Sequence, residues 1–113
     1  MTAKNALTQA PPYAVEQAIR RLGANLRTAR LRRNLTIEEV AGTIGTGRRA
    51  ISDAEQGKIS TGIAVYAALL WAYDLLGPIE LLADPARDQE GLALASRRER
   101  ARRESPEELD SDF

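Results

Sequence analysis

The chemistry open to this chain is narrowed first by what it lacks. It contains no Cys and no His, which excludes disulfides, thiol nucleophiles, Cys/His zinc sites and imidazole acid–base catalysis. Two carboxylates stand side by side at Glu38 and Glu39, but Glu39 follows Thr36 by three residues, the spacing of a helix capping box. No nucleophile is paired with a base, so the residues imply neither an enzyme nor a bound cofactor or metal. What remains is arginine. Residues 20–58 carry nine positive charges, at Arg20, Arg21, Arg27, Arg30, Arg32, Arg33, Arg48, Arg49 and Lys58, against four negative ones at Glu38, Glu39, Asp53 and Glu55. That segment is basic although the whole chain is neutral, with 16 Lys+Arg and 16 Asp+Glu. Residues 105–113 hold four acids and no base. A basic core with an acidic end is the footprint of an anion-binding domain carrying a separate interaction segment.

The elements that hold these groups read as helices. The 113 residues suffice for one small domain, and Ala and Leu dominate an apolar fraction of 43% that includes only 4% aromatics, a composition that favours helix. No apolar run approaches the roughly 18 residues needed to cross a bilayer, and no basic stretch leads into an apolar core at the start. A cytoplasmic chain with no membrane partner is expected. Residues 1–12 end in Pro11-Pro12 and read as a flexible arm. From Tyr13 onward, Val15, Ile19, Leu22, Leu26 and Ala29 recur at helical spacing, until Asn34, which tolerates a left-handed turn, interrupts them. Thr36 caps a short second helix with Val40, Ala41 and Ile44 on its buried stripe, and Gly45 ends it. A third covers about residues 48–55, with Ile51 and Ala54 inward and Gly57 as its stop. Ser60 or Thr61 caps a fourth, over about residues 62–73, whose stripe includes Ile63, Tyr66, Leu70 and Tyr73. Pro78 opens a short fifth carrying Ile79 and Leu82. The expected fold is all-α, a five-helix bundle over residues 13–84 between the arm and a C-terminal tail at residues 85–113. In that tail residues 91–95 are mildly apolar, residues 96–103 hold five Arg and one Glu, and residues 105–113 lack periodicity, which favours disorder in isolation.

Residues 35–58, LTIEEVAGTIGTGRRAISDAEQGK, set a short helix, a glycine turn and a second short helix in succession. This is a helix-turn-helix, which lays its second helix in the DNA major groove while the first crosses the backbone. The N-terminal end of the second helix reads Thr46-Gly47-Arg48-Arg49. Guanidinium groups suit the O6/N7 pair of guanine, a bidentate contact worth about 1–3 kcal/mol of discrimination, and the positive helix end attracts phosphate. Asp53 faces the same surface, where it either accepts a hydrogen bond from cytosine N4 or pairs with a neighbouring Arg. Arg20, Arg21, Arg32 and Arg33 read as a solvated helix face. Trp71 lies one residue off the inward stripe of the fourth helix and either covers the core edge or anchors a dimer interface. With Leu75, Leu76, Ile79 and Leu82 it makes up the candidate dimer surface.

In this register the chain resembles the Xre/Cro-type helix-turn-helix of bacterial and phage repressors. Leu35, Thr36, Glu39, Val40, Ala41, Ile44, Gly45, Ile51, Ser52, Glu55, Gly57 and Lys58 match that pattern. Leu22-Gly23-x-x-Leu26-Arg27-x-x-Arg30 matches its first helix, and residues 63–82 its last two. The resemblance implies a lambda-repressor-like bundle, a homodimer, and double-stranded DNA with a palindromic operator as partner. It places Arg48, Arg49 and Asp53 at base-reading positions, Thr36 and Thr46 at phosphate contacts, and Lys58 near the flanking phosphates. Gly47 replaces the usual Ser cap, and Ile37 stands where the family often has a phosphate-contacting Gln. Arg30 and Glu55 match a buried ion pair that ties the first helix to the recognition helix.

From Ile59 onward the sequence, with LLWAYDLLGPIELLADPARDQEGLALASRRERARRE, resembles HipB-like antitoxins, the smaller partners of HipA-type kinase toxins. That likeness implies an autorepressor whose second partner is a HipA-like serine/threonine kinase. Two other functions fit the same residues. One is a plain transcriptional regulator with no toxin partner, in which residues 85–113 are dispensable. The other is a protein-interaction module that inhibits an enzyme and has little affinity for DNA.

Overall fold

A computed structural model describes residues 5–104 of the chain. The described residues form six α-helices and one 3-10 helix, and no strand occurs among them. The α-helices are α1 (Ala6–Gln9), α2 (Tyr13–Arg32), α3 (Ile37–Ile44), α4 (Arg48–Glu55), α5 (Ile63–Ala72) and α6 (Gln89–Glu104), and the 3-10 helix spans Gly77–Leu81. The chain divides into two compact units at Gly77/Pro78. None of the described helices is long and apolar enough to cross a membrane.

The first unit is built around α4. Helix α2 packs on α4, α3 packs on α4, and α5 packs on both α3 and α4. Leu26 and Ala29 from α2, Val40 and Ala41 from α3, Ile51 and Ala54 from α4, and Tyr66, Leu69 and Tyr73 from α5 and its cap form the core. Helix α4 gives its two inward side chains entirely to this core, since Ile51 and Ala54 are both 0% exposed. Positions 48, 49, 52 and 53 of the helix are left for the outer surface.

Local chemistry sets where each helix stops. Helices α2 to α5 all end on a residue with positive φ, at Asn34 (55°), Gly45 (78°), Gly57 (69°) and Asp74 (59°). In each case the next N–H bonds a carbonyl five residues back: Leu35 to Arg30, Thr46 to Ala41, Lys58 to Asp53 and Leu75 to Leu70. This closure satisfies carbonyls that the last turn would leave bare. Asn34, Gly45 and Gly57 stand where the sequence placed them. Asp74 is a fourth such stop, permitted because a short polar side chain tolerates the left-handed region.

Two glycines let α2 and the end of α4 touch. A Cβ on Gly23 would strike the Ala54 carbonyl oxygen and lie 2.8 Å from that of Glu55, while one on Gly57 would lie 2.6 Å from the Arg20 Cα. All three obstacles are backbone, so no side chain can swing aside. Gly23→Ala is expected to cost about 1–3 kcal/mol, the usual range for overpacking a tight contact. A urea titration reads this as an earlier midpoint at unchanged slope.

Several sequence expectations are corrected. The arm at residues 1–12 contains one helical turn, α1, which Asn5 caps by accepting the Thr8 N–H at 3.0 Å. Residues 1–4 lie outside the described residues. Helix α5 is capped by Gly62 with no side-chain hydrogen bond, not by Ser60 or Thr61. Its inward line runs Tyr66, Leu69 and Tyr73, while Ile63 is 73% exposed. The reason is compositional: IAVYAALLWA is apolar all round, so no period marks one face. The segment after Pro78 is 3-10 rather than α, and Val15 is exposed at the open end of α2.

The second unit holds the largest difference. Within the expected tail, Gln89–Glu104 is a 16-residue helix. Asp88 caps it by accepting the Gly91 N–H at 2.9 Å, and its Ala, Leu, Arg and Glu residues are strong helix formers. No apolar stripe announces it, because its helicity comes from propensity and capping. The acidic residues 105–113, expected to be disordered, lie outside the described residues.

Candidate nucleic-acid interface

The outer face of the first unit is shaped by the turn between α3 and α4. Thr36 opens α3 with a complete capping box: the Glu39 N–H donates to Thr36 Oγ1, and the Thr36 N–H donates to Glu39 Oε1, each at 3.0 Å. The Thr36 backbone N–H, and secondarily its hydroxyl, hold the Glu39 carboxyl below its ordinary value. A carboxylate favoured by folding stabilises the protein above the unfolded Glu value of about 4.3 and loses that contribution as pH falls through its lower folded value. Glu39→Gln is therefore expected to lower the melting temperature near neutrality. The difference should shrink towards zero in melts taken progressively below pH 4.

Gly45 then reverses the chain, and Thr46, exposed, gives its N–H to the Ala41 carbonyl at 3.0 Å. Gly47 caps α4 in an extended conformation without any side-chain hydrogen bond. The first N–H groups of α4 therefore receive no hydrogen bond from a cap side chain, at the positive end of the helix. Arg48 and Arg49 stand in this first turn, both exposed, and neither has an ion-pair partner among the described residues. Their guanidinium groups are available for an external anion or base edge.

Further along α4, Asp53 and Lys58 pair with each other, Oδ1 to Nζ at 3.0 Å. The sequence offers Asp53 either cytosine N4 or a neighbouring Arg; within the protein its ion-pair partner is a lysine. A spacing of five residues is not a helical neighbour distance. The pair forms because the left-handed Gly57 folds the chain back, so that the Lys58 N–H meets the Asp53 carbonyl at 3.0 Å. Beside it, Gln56 Nε2 donates to Ser52 Oγ at 3.1 Å. Ile37, Arg48, Arg49, Ser52, Asp53, Gln56 and Lys58 line one shallow depression. Ser52 and Gln56 are the residues of this face that sequence reasoning did not assign to it. Their signal was available, since 49, 52, 53 and 56 share one face of an α-helix. Thr36 and Thr46 do not line this depression.

Behind the face, Arg30 and Glu55 make a two-pronged ion pair. Arg30 Nε donates to Glu55 Oε2 at 2.7 Å and Nη2 donates to Oε1 at 3.0 Å, while Nη1 donates to the Leu35 carbonyl at 2.9 Å. The side chains are 9% and 5% exposed. The hydrogen bond to Glu55 raises the Arg30 value, so the charge is secure. This one guanidinium joins α2, the α2–α3 turn and the last turn of α4. Arg33 is corrected from a merely solvated position. It donates to the Ala29 and Tyr73 carbonyls at 2.9 Å each and lies over the Tyr73 ring, 5.4 Å from its centroid. It thereby ties the ends of α2 and α5 together.

The candidate dimer residues fall in both units. Trp71 and Leu75 are 59% and 44% exposed and Leu76 is half-buried, all in the first unit. Ile79, half-buried, and Leu82, 71% exposed, belong to the second.

Two short helices joined by a left-handed turn, the second presenting two exposed arginines at its uncapped start, define a helix-turn-helix of the DNA-binding class. A family model described as a helix-turn-helix domain matches residues 21–83, more than half of the chain, and the protein belongs to that family. No curated protein and no solved structure matches the chain. The family and the geometry together make this a DNA-binding regulator.

Proposed function

We propose that the protein is a homodimeric, cytoplasmic autorepressor that reads a palindromic operator with α4 and acts as the antitoxin of a HipA-like serine/threonine kinase. The observation that supports operator reading is the state of Arg48 and Arg49, exposed at the start of α4 and unpaired among the described residues. In a dimer, two such helices read half-sites about 34–36 Å apart. Thr36 and Thr46 flank them as phosphate contacts, and Lys58 exchanges Asp53 for a phosphate on binding. Exposed Trp71 and Leu75 suit a dimer contact, where aromatic residues are enriched.

The toxin contact falls on residues 85–113, where α6 begins with Leu92 and Leu94, 52% and 48% exposed. Co-expression with the neighbouring gene, followed by affinity purification and mass spectrometry, tests this part. A stoichiometric kinase-like protein is expected to co-purify with the full chain and to be lost when residues 85–113 are removed. A homodimer that brings down no partner would contradict the antitoxin role and leave a plain regulator.

A further inference from the structure

Helix α6 is two different surfaces end to end. Its first half carries Leu92 and Leu94, and its second half, residues 97–104, carries five Arg and two Glu. Arg97, Arg100 and Arg103 are exposed and recur every third residue. At about 100° per residue they fall within a stripe about 120° wide, and at about 1.5 Å rise per residue they span about 9 Å. One strand of a DNA duplex presents a phosphate about every 3.4 Å of its axis, so about three phosphates over the same length.

We propose that the Arg97, Arg100 and Arg103 stripe of α6 is a second DNA-binding surface, which holds the phosphate backbone without reading sequence. The proposal rests on the reading of the first unit as a DNA-binding module. The two units are joined at Gly77/Pro78, so α6 is tethered to any duplex that α4 engages. Three guanidinium groups on one stripe then add affinity by neutralising phosphates and releasing counterions. Neutrality of the whole chain conceals this surface, because acids elsewhere, four of them in residues 105–113, offset its charge.

The test is binding of the full chain to a random-sequence duplex several turns long, by fluorescence anisotropy between about 50 and 200 mM salt. The triple variant Arg97→Gln, Arg100→Gln, Arg103→Gln keeps strong helix formers in α6 and leaves α4 untouched. Its log–log salt slope is expected to fall by about 2–3 for each chain bound, from three lost contacts at about 0.9 each. The corresponding triple Lys variant, which restores charge, is expected to restore the slope. An unchanged slope in the Gln variant, or a loss that Lys does not repair, overturns the proposal while the wild-type binding curve keeps the first unit's role intact. A Gln variant that keeps its slope but loses a co-purifying protein also overturns it, and assigns the arginines to that protein. If the wild-type chain binds no duplex at all, the reading of α4 fails first and this proposal with it.

Discussion

Arg30→Ala is expected to destabilise the fold by about 3–5 kcal/mol, the cost of stranding one member of a buried ion pair. The Glu55 side chain is 5% exposed and takes both of its hydrogen bonds from Arg30. Removing the guanidinium leaves that carboxylate in a site with little access to water and also bares the Leu35 carbonyl. Arg30→Lys should recover only part of the loss, because an ammonium lacks the planar fork that meets both carboxylate oxygens and the carbonyl at once. Replacing both partners, as in Arg30→Met with Glu55→Leu, should recover most of it, since apolar residues of similar volume often match a buried pair. Urea denaturation measures all three variants. A midpoint unmoved by Arg30→Ala would show that the pair carries no stability.

The second large effect falls on binding. Arg48→Ala with Arg49→Ala is expected to weaken operator affinity at least about 30-fold, taking about 1 kcal/mol or more from each lost guanine contact. Both side chains are exposed and unpaired among the described residues, so the melting temperature should stay within the small range of surface substitutions. The two variants therefore separate cleanly. Arg30 fails in folding and Arg48/Arg49 fail in recognition, although all three are arginines within one short basic segment.

What the sequence made legible is local chemistry. The capping box at Thr36 and Glu39, the left-handed stops at Asn34, Gly45 and Gly57, and the inward pair Ile51 and Ala54 follow from side-chain types at fixed offsets. The exposed place of Arg48 and Arg49 in the first turn of α4 was legible for the same reason, because the turn before them fixes where α4 starts. What escaped needed either tertiary context or a signal other than periodicity. The inward face of α5 was drawn through Ile63 and Leu70 where the structure has Leu69, because every residue of that helix is apolar or small. Helix α6 was missed because its stability comes from propensity and the Asp88 cap. The Asp53–Lys58 pair crosses a glycine turn that brings together residues no helical spacing would join. The role of Arg33 depends on the Tyr73 carbonyl, forty residues away in the chain.

The decisive measurement compares the affinity of the full chain for the duplex upstream of its own gene with that for a shuffled duplex of equal length, at one fixed salt concentration. The wild-type protein is expected to prefer the upstream duplex by about 1,000-fold or more, the lower end of the range for specific DNA-binding proteins. Arg48→Ala with Arg49→Ala should bring the two affinities close together. Equal affinity of the wild-type chain for both duplexes, or a preference that the double variant retains in full, would contradict operator reading by α4.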